Sequence, residues 1–84
     1  PLDGVNMNRA FPGDRRGTLT YRIADFATRY VLTPADVVLD IHSGGRILQF
    51  PMCSSFHEVP DPAQQREMAE VSRLFDTPFV MVYA

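Results

Sequence analysis

The stretch that decides the fold is Asp36-Val37-Val38-Leu39-Asp40-Ile41-His42, which is followed by Ser43-Gly44-Gly45. Its nearly continuous run of β-branched residues and leucine is typical of a strand that is covered on both faces, as parallel strands are. We therefore predict a strand over 36–42 that ends at the glycines. A second apolar run predicts another strand over 79–83, and the residues 47–50 indicate a short third one.

Helical patterns flank the predicted strand. Apolar side chains recur at spacings of three and four from Leu19 to Val31, which predicts a helix over 18–32 with one buried stripe. Thr18 is placed to cap its start, and Pro34 favours an extended Thr33 and a helix end near residue 32.

A second helix is predicted over 62–75. Asp61 supplies an N-cap, Pro62 suits the first helical position, and Gln64 stands at the third. The order helix, strand, strand, helix, strand predicts a layered α/β domain with a mostly parallel or mixed sheet flanked by helices. In that sheet we expect 36–42 and 79–83 to be neighbours or near neighbours.

Composition excludes several classes of protein. The 84 residues carry 10 acidic and 8 basic side chains, for a net charge of -2, and the arginines form no basic stripe, so nucleic acid is not an expected partner. No apolar run approaches the roughly 18 residues that a membrane span needs, so no membrane partner is expected. The one cysteine, Cys53, has no internal disulfide partner, and we expect a cytoplasmic protein.

The end of the predicted strand is a candidate site. Asp40 and His42 are two residues apart and would point to the same face of a strand, where the carboxylate can orient an imidazole that binds a metal ion. The alternative is an ordinary hydrogen-bonded histidine at a strand end, and the spacing alone leaves both open. One histidine does not make a metal site.

The loop before the first predicted helix is a second candidate site. Within residues 4–13, Asn8 and Arg9 place an amide beside a guanidinium, and an arginine offers a planar fork for a carboxylate. On composition alone, an exposed arginine beside a turn-forming asparagine explains the loop equally well.

Together the two clusters resemble a known family. The phrases Asn6-Met7-Asn8-Arg9-x-Phe11-Pro12-Gly13 and Asp40-Ile41-His42-Ser43-Gly44-Gly45, in that order, are similar to the middle of the succinylglutamate desuccinylase and aspartoacylase family, within the zinc carboxypeptidase superfamily. Two further phrases, Arg15-Arg16-Gly17-Thr18-Leu19-Thr20 and Pro51-Met52-Cys53, look most like members related to N-acetyl-diaminobutyrate deacetylases.

The resemblance implies roles for particular residues. His42 matches one zinc ligand, and the other two lie in an upstream His-x-x-Glu motif. Asp40, which the strand spacing places on the same face, would then orient the His42 imidazole. Asn8 and Arg9 match the pair that grips the substrate carboxylate. The general-base glutamate is expected downstream, so no catalytic residue lies within the chain. The peptide bond after Ser43 is expected to be cis, as occurs beside this ligand in the superfamily.

The resemblance also implies the function of the whole protein. We expect residues 1–84 to be the central part of a single larger catalytic domain, with both flanks missing and no activity alone. The complete protein is expected to be a zinc-dependent deacylase of small N-acyl amino acids. The alternatives are a fragment of a zinc carboxypeptidase-type peptidase and a noncatalytic binding domain. The Asn-Arg and His-Ser-Gly-Gly phrases favour the deacylase over the peptidase.

Overall fold

A computed structural model describes residues 2–84 as two compact units, the first ending at Ile41 and the second beginning at His42. The first unit contains a 3-10 turn, a helix, and a π-helical turn that follows the helix directly. The second unit contains two strands with a helix between them. In chain order the elements are the 3-10 turn Met7–Arg9, α1 Leu19–Ala27, the π-helical turn Thr28–Leu32, β1 Cys53–His57, α2 Pro62–Leu74 and β2 Phe79–Tyr83.

Helix α1 and its π-helical turn confirm the helix predicted over 18–32. Ala24 is fully buried and Thr20 nearly so, and both lie on the side of α1 that contacts the preceding loop. The predicted apolar stripe is not buried, because its side chains are 46–64% exposed: Leu19, Ile23, Phe26, Tyr30 and Val31. The loop covers the face that carries the small residues and leaves the large ones open.

The carboxyl end of this helix differs from the prediction at Thr33. Thr33 keeps helical dihedrals, φ -60° and ψ -42°, instead of the extended conformation that a following proline favours. Its backbone N–H and its hydroxyl donate to the Thr28 carbonyl at 2.9 and 2.7 Å. These two bonds close the wide turn and hold Thr33 in the helix.

The second unit is a parallel β1-α2-β2 arrangement. The register pairs Cys53 with Phe79 at one end and His57 with Tyr83 at the other. Beyond the last pair, the Glu58 N–H donates to the Tyr83 carbonyl at 2.7 Å, which continues the ladder by one bond. Parallel strands need a crossover connection, and α2 supplies it.

Helix α2 begins as predicted. The Asp61 carboxylate accepts from the Ala63 N–H at 2.9 Å, and Pro62 occupies the first helical position. The glutamine that bonds to the chain before the helix is Gln65 and not Gln64. Its side-chain oxygen accepts from the Val59 N–H at 3.0 Å. This bond fixes the angle at which the chain enters the helix.

The strand predictions are right at one place and wrong at two. Strand β2 confirms the prediction for 79–83, and the α/β class is confirmed together with a parallel pair. The segments 36–42 and 47–50 form no strand in the part of the chain described. The neighbour of β2 is instead Cys53–His57, because a strand exists only where two backbones pair, and that pairing cannot be read from one apolar run.

The described residues, 2–84, contain no helix with the length and apolar character that crossing a membrane demands.

Candidate functional site

Asn8 and Arg9 lie in a short capped turn. Asn6 caps the 3-10 turn, since its side-chain oxygen accepts from the Asn8 N–H at 3.0 Å and its carbonyl accepts from the Arg9 N–H at 2.9 Å. The next residue, Ala10, is buried, whereas the Asn8 and Arg9 side chains are exposed. The turn therefore holds the backbone of both residues and leaves their side chains accessible to a small ligand.

The carboxyl side of this loop is fastened to the helix that follows. The Thr28 hydroxyl donates to the Pro12 carbonyl at 2.8 Å. Gly13 has φ +99° and lies so close to α1 that an added Cβ would overlap the backbone nitrogen of Asp25. Only a residue without a side chain permits this approach.

The amino side of the loop is fastened by Asp3, a residue that the sequence analysis missed. Its carboxylate accepts from the Thr18 hydroxyl at 2.6 Å, from the Thr20 hydroxyl at 2.6 Å and from the Thr20 N–H at 2.7 Å. The Val5 N–H donates a fourth bond at 3.2 Å. The hydrogen bonds from Thr18 and Thr20 hold the pKa of Asp3 well below its usual range.

Asp3 also takes over the role predicted for Thr18. Thr18 occupies the N-cap position of α1, but its hydroxyl caps no backbone N–H and donates to Asp3 instead. The Asp3 carboxylate accepts from the free Thr20 N–H in the first helical turn, where a negative charge is favourable. Asp3 lies 17 residues before Thr20, so no short-range sequence pattern predicts that it caps α1.

Asp40 and His42 lie in a stretch that forms neither helix nor strand, and both are exposed. Asp40 is near the end of the first unit, and His42 opens the second. The expectation that Asn8, Arg9 and His42 share one cleft spans both units and stays a prediction. The support of His42 by Asp40 stays a prediction as well.

The glycines after His42 form a tight turn. The Leu48 N–H donates to the Gly44 carbonyl at 3.2 Å, and an added Cβ on Gly44 would overlap the Leu48 carbonyl oxygen. Gly45 has φ +68°, which favours glycine. The expected cis bond after Ser43 is wrong, because the cis peptide within residues 2–84 joins Phe11 to Pro12, and the trans form is favoured outside proline by about 3 kcal/mol.

A metal centre is not complete within the described residues. Across 2–84, no three histidine, cysteine, aspartate or glutamate side chains come together as a group that could hold a metal ion. The predicted metal-site residues His42 and Asp40 are both exposed.

Comparison with known proteins places this chain in a family. The chain matches the succinylglutamate desuccinylase/aspartoacylase catalytic domain over residues 2–84. It is 44% identical over 82 residues to the N-alpha-acetyl-L-2,4-diaminobutyric acid deacetylase of Halomonas elongata, a match that covers 98% of this chain and 24% of that protein. The chain thus spans about a quarter of the length of this curated relative. No solved structure matches it. The chain belongs to the succinylglutamate desuccinylase/aspartoacylase family, as its two motifs predicted.

Proposed function

We propose that the complete protein is a zinc-dependent deacylase that hydrolyses the amide bond of a small N-acyl amino acid. Residues 1–84 would form the central part of its single catalytic domain. The observation that carries the proposal is the fastened turn that exposes Asn8 and Arg9 in a chain of this family. The name of the Halomonas relative, a deacetylase of an acetylated diamino acid, supports a substrate of the same class.

Asn8 and Arg9 are proposed to bind the carboxylate of the substrate. The planar guanidinium of Arg9 can donate two parallel hydrogen bonds to a carboxylate, and the Asn8 amide can add a donor or an acceptor. Because the turn is fastened to α1 on both sides, little backbone entropy remains to be lost when a substrate binds. The reacting amide is thereby held in one position.

His42 is proposed to be one of the zinc ligands, with Asp40 orienting its imidazole. An imidazole suits zinc, and the exposed His42 side chain lies directly before a tight glycine turn. A single imidazole fits one position of a tetrahedral site, so the proposal takes the other ligands and the general-base glutamate from the rest of the domain. The chemistry that zinc supplies when bound is polarisation of the amide carbonyl.

The proposed compartment is the cytoplasm. Cys53 is a free, half-buried thiol, and a reducing environment keeps such thiols unpaired.

The experiment that tests the proposal compares two variants of the complete enzyme. In Arg9→Lys the charge stays but the bidentate fork is lost, so KM for an N-acyl amino acid should rise while zinc stays at about one equivalent per site. In His42→Ala a ligand is lost, so zinc content and kcat should fall together. Zinc content and steady-state kinetics are measured on both.

The matched control is Arg16→Lys, the same exchange at an exposed arginine further along the loop. It should leave KM and zinc content at the wild-type values. A His42→Ala protein with full zinc and ordinary turnover would contradict the ligand assignment. A wild-type enzyme that cleaves peptides but not N-acyl amino acids would favour the peptidase instead.

A further inference from the structure

The Asp3 carboxylate is completely occupied by donors. A carboxylate offers about four lone-pair sites, and here two hydroxyls and two backbone N–H groups fill them. Three of the four bonds come from Thr18 and Thr20 at the start of α1, and the fourth comes from Val5 in Asp3's own loop. Asp3 therefore joins two segments that are distant in sequence.

The bond to Val5 connects Asp3 to the turn that carries the proposed substrate residues. Val5 is followed directly by Asn6, and Asn6 holds the backbone of Asn8 and Arg9 through its side chain and its carbonyl. The chain of contacts thus runs from the start of α1 through Asp3 to Asn6 and then to Arg9. On the other side of the turn, Pro12 and Gly13 provide an independent attachment.

We propose that Asp3 is a positioning residue, which fixes the turn that presents Asn8 and Arg9 to the substrate carboxylate. It touches no reacting atom and acts through the turn. The proposal rests on the proposed function, since it takes Arg9 as the carboxylate grip. A displaced grip would misplace the amide, and a misplacement of about 1 Å can cost about 100-fold in rate.

The test begins with Asp3→Ala and Asp3→Asn in the complete enzyme. Asp3→Ala removes all four acceptor sites, so KM should rise and kcat/KM should fall by about 10- to 100-fold, with zinc content unchanged. Asp3→Asn keeps one acceptor oxygen and should lie between Asp3→Ala and the wild type. The matched control is Asp14→Ala, because Asp14 is an exposed acid of the same loop whose carboxylate accepts from the nearby Arg16 N–H at 2.8 Å.

A double-mutant cycle separates positioning from a general loss of stability. If Asp3 acts through Arg9, Asp3→Ala should change kcat/KM by less than about 3-fold once Arg9 is already alanine. An equal loss in both backgrounds would overturn the proposal. Wild-type kinetics in Asp3→Ala would overturn it too. If Asp3→Ala does not fold, Thr18→Val removes one donor to the same carboxylate and should show a smaller rise in KM.

Hydrogen exchange distinguishes failure of this inference from failure of the proposed function. The amides of Asn8 and Arg9 should exchange faster in Asp3→Ala than in Asp14→Ala and the wild type, whatever the substrate is. Faster exchange in an enzyme that hydrolyses no N-acyl amino acid would retain Asp3 as the residue that fixes the turn and reject the deacylase. Unchanged exchange in an active enzyme would reject the positioning role alone.

Discussion

Gly13 lies close to α1, in the loop that also carries Asn8 and Arg9. Gly13→Ala combines a positive φ with an overlap against the backbone nitrogen of Asp25, so we expect a loss of about 2–4 kcal/mol in the free energy of unfolding. Gly4 is the matched control, because its φ is +71° and no atom lies within 4 Å of an added Cβ. Gly4→Ala should cost only about 1 kcal/mol. Urea unfolding of the complete protein measures both, and equal losses would contradict the close approach.

Asp3 should contribute a pH-dependent part of the stability. Its pKa is lower in the folded state than in the unfolded chain, so the folded protein binds fewer protons and Asp3 stabilises it fully above the unfolded value of about 3.9. This contribution is lost as the pH falls from there toward the lowered pKa. The difference in urea midpoint between wild type and Asp3→Asn should therefore be largest near pH 6 and shrink at pH 3. A difference that grows toward pH 3 would contradict this sign.

Sequence analysis singled out Asn8 and Arg9 as candidate substrate residues because their motif is local, and the structure shows that the turn around them is local too. Their role in binding stays a prediction. Asp3 could not be found in the same way. Its partners, Thr18 and Thr20, become neighbours only after the loop has folded back on the start of α1. The short-range pattern instead predicted that Thr18 caps α1.

Among the elements, β1 owes its position to a polar network at its start. The Ser54 hydroxyl donates to the Ser72 carbonyl at 3.0 Å and lies 3.0 Å from the Thr77 hydroxyl, while the Ser54 N–H donates to that same hydroxyl oxygen at 3.0 Å. Thr77 in turn donates to the Phe79 carbonyl at 2.9 Å. Two side chains, Ser54 and Thr77, thus connect the beginning of β1 with the end of α2 and the beginning of β2.

The Ser54 network predicts unequal effects at two neighbouring serines. Ser54→Ala leaves the Ser72 carbonyl without its donor, so we expect the free energy of unfolding to fall by about 1–2 kcal/mol. Ser55→Ala changes the next residue, whose side chain is exposed, and should stay within about 0.5 kcal/mol of the wild type. Thermal or urea unfolding of the complete protein measures both. Equal effects would show that the network adds nothing to stability.

The sequence analysis missed β1 because its composition is not typical of a strand. Cys53–His57 contains two serines and little apolar pattern, so it reads as a loop after Pro51. Its strand conformation depends on pairing with β2 and on Ser54. Helix α2 was predictable because Asp61 and Pro62 act on their immediate neighbours. A strand over 36–42 would need a second backbone to pair with, and no segment of the described residues pairs with it.

For the molecule as a whole, the main feature is apolar surface on β2. All five of its side chains are exposed, and Met81 and Val82 are 42% and 51% exposed. A run of this kind is usually covered, since large exposed apolar patches are rare in monomeric proteins. The chain spans 24% of its Halomonas relative, and we expect the rest of the domain to cover this strand.

Coverage of β2 is testable in the complete protein. Met81→Asp should lower the free energy of unfolding by at least about 2 kcal/mol, because it buries a carboxylate without a partner. Gln64→Asp is the control, because it places the same residue at an exposed position in the first turn of α2. It should change the free energy of unfolding by no more than about 0.5 kcal/mol. A Met81→Asp protein as stable as the control would mean that β2 stays open to solvent.

The arrangement of β1, α2 and β2 along the chain has a consequence for biosynthesis. The three elements follow one another without interruption by any other strand, and the entropy lost on closing a loop grows with its length. A chain emerges from the ribosome with its amino end first. When β2 is made, β1 and α2 have already been made, so β2 can pair with β1 at once. The edge of β2 that pairs with β1 is then not open to a strand from another nascent chain.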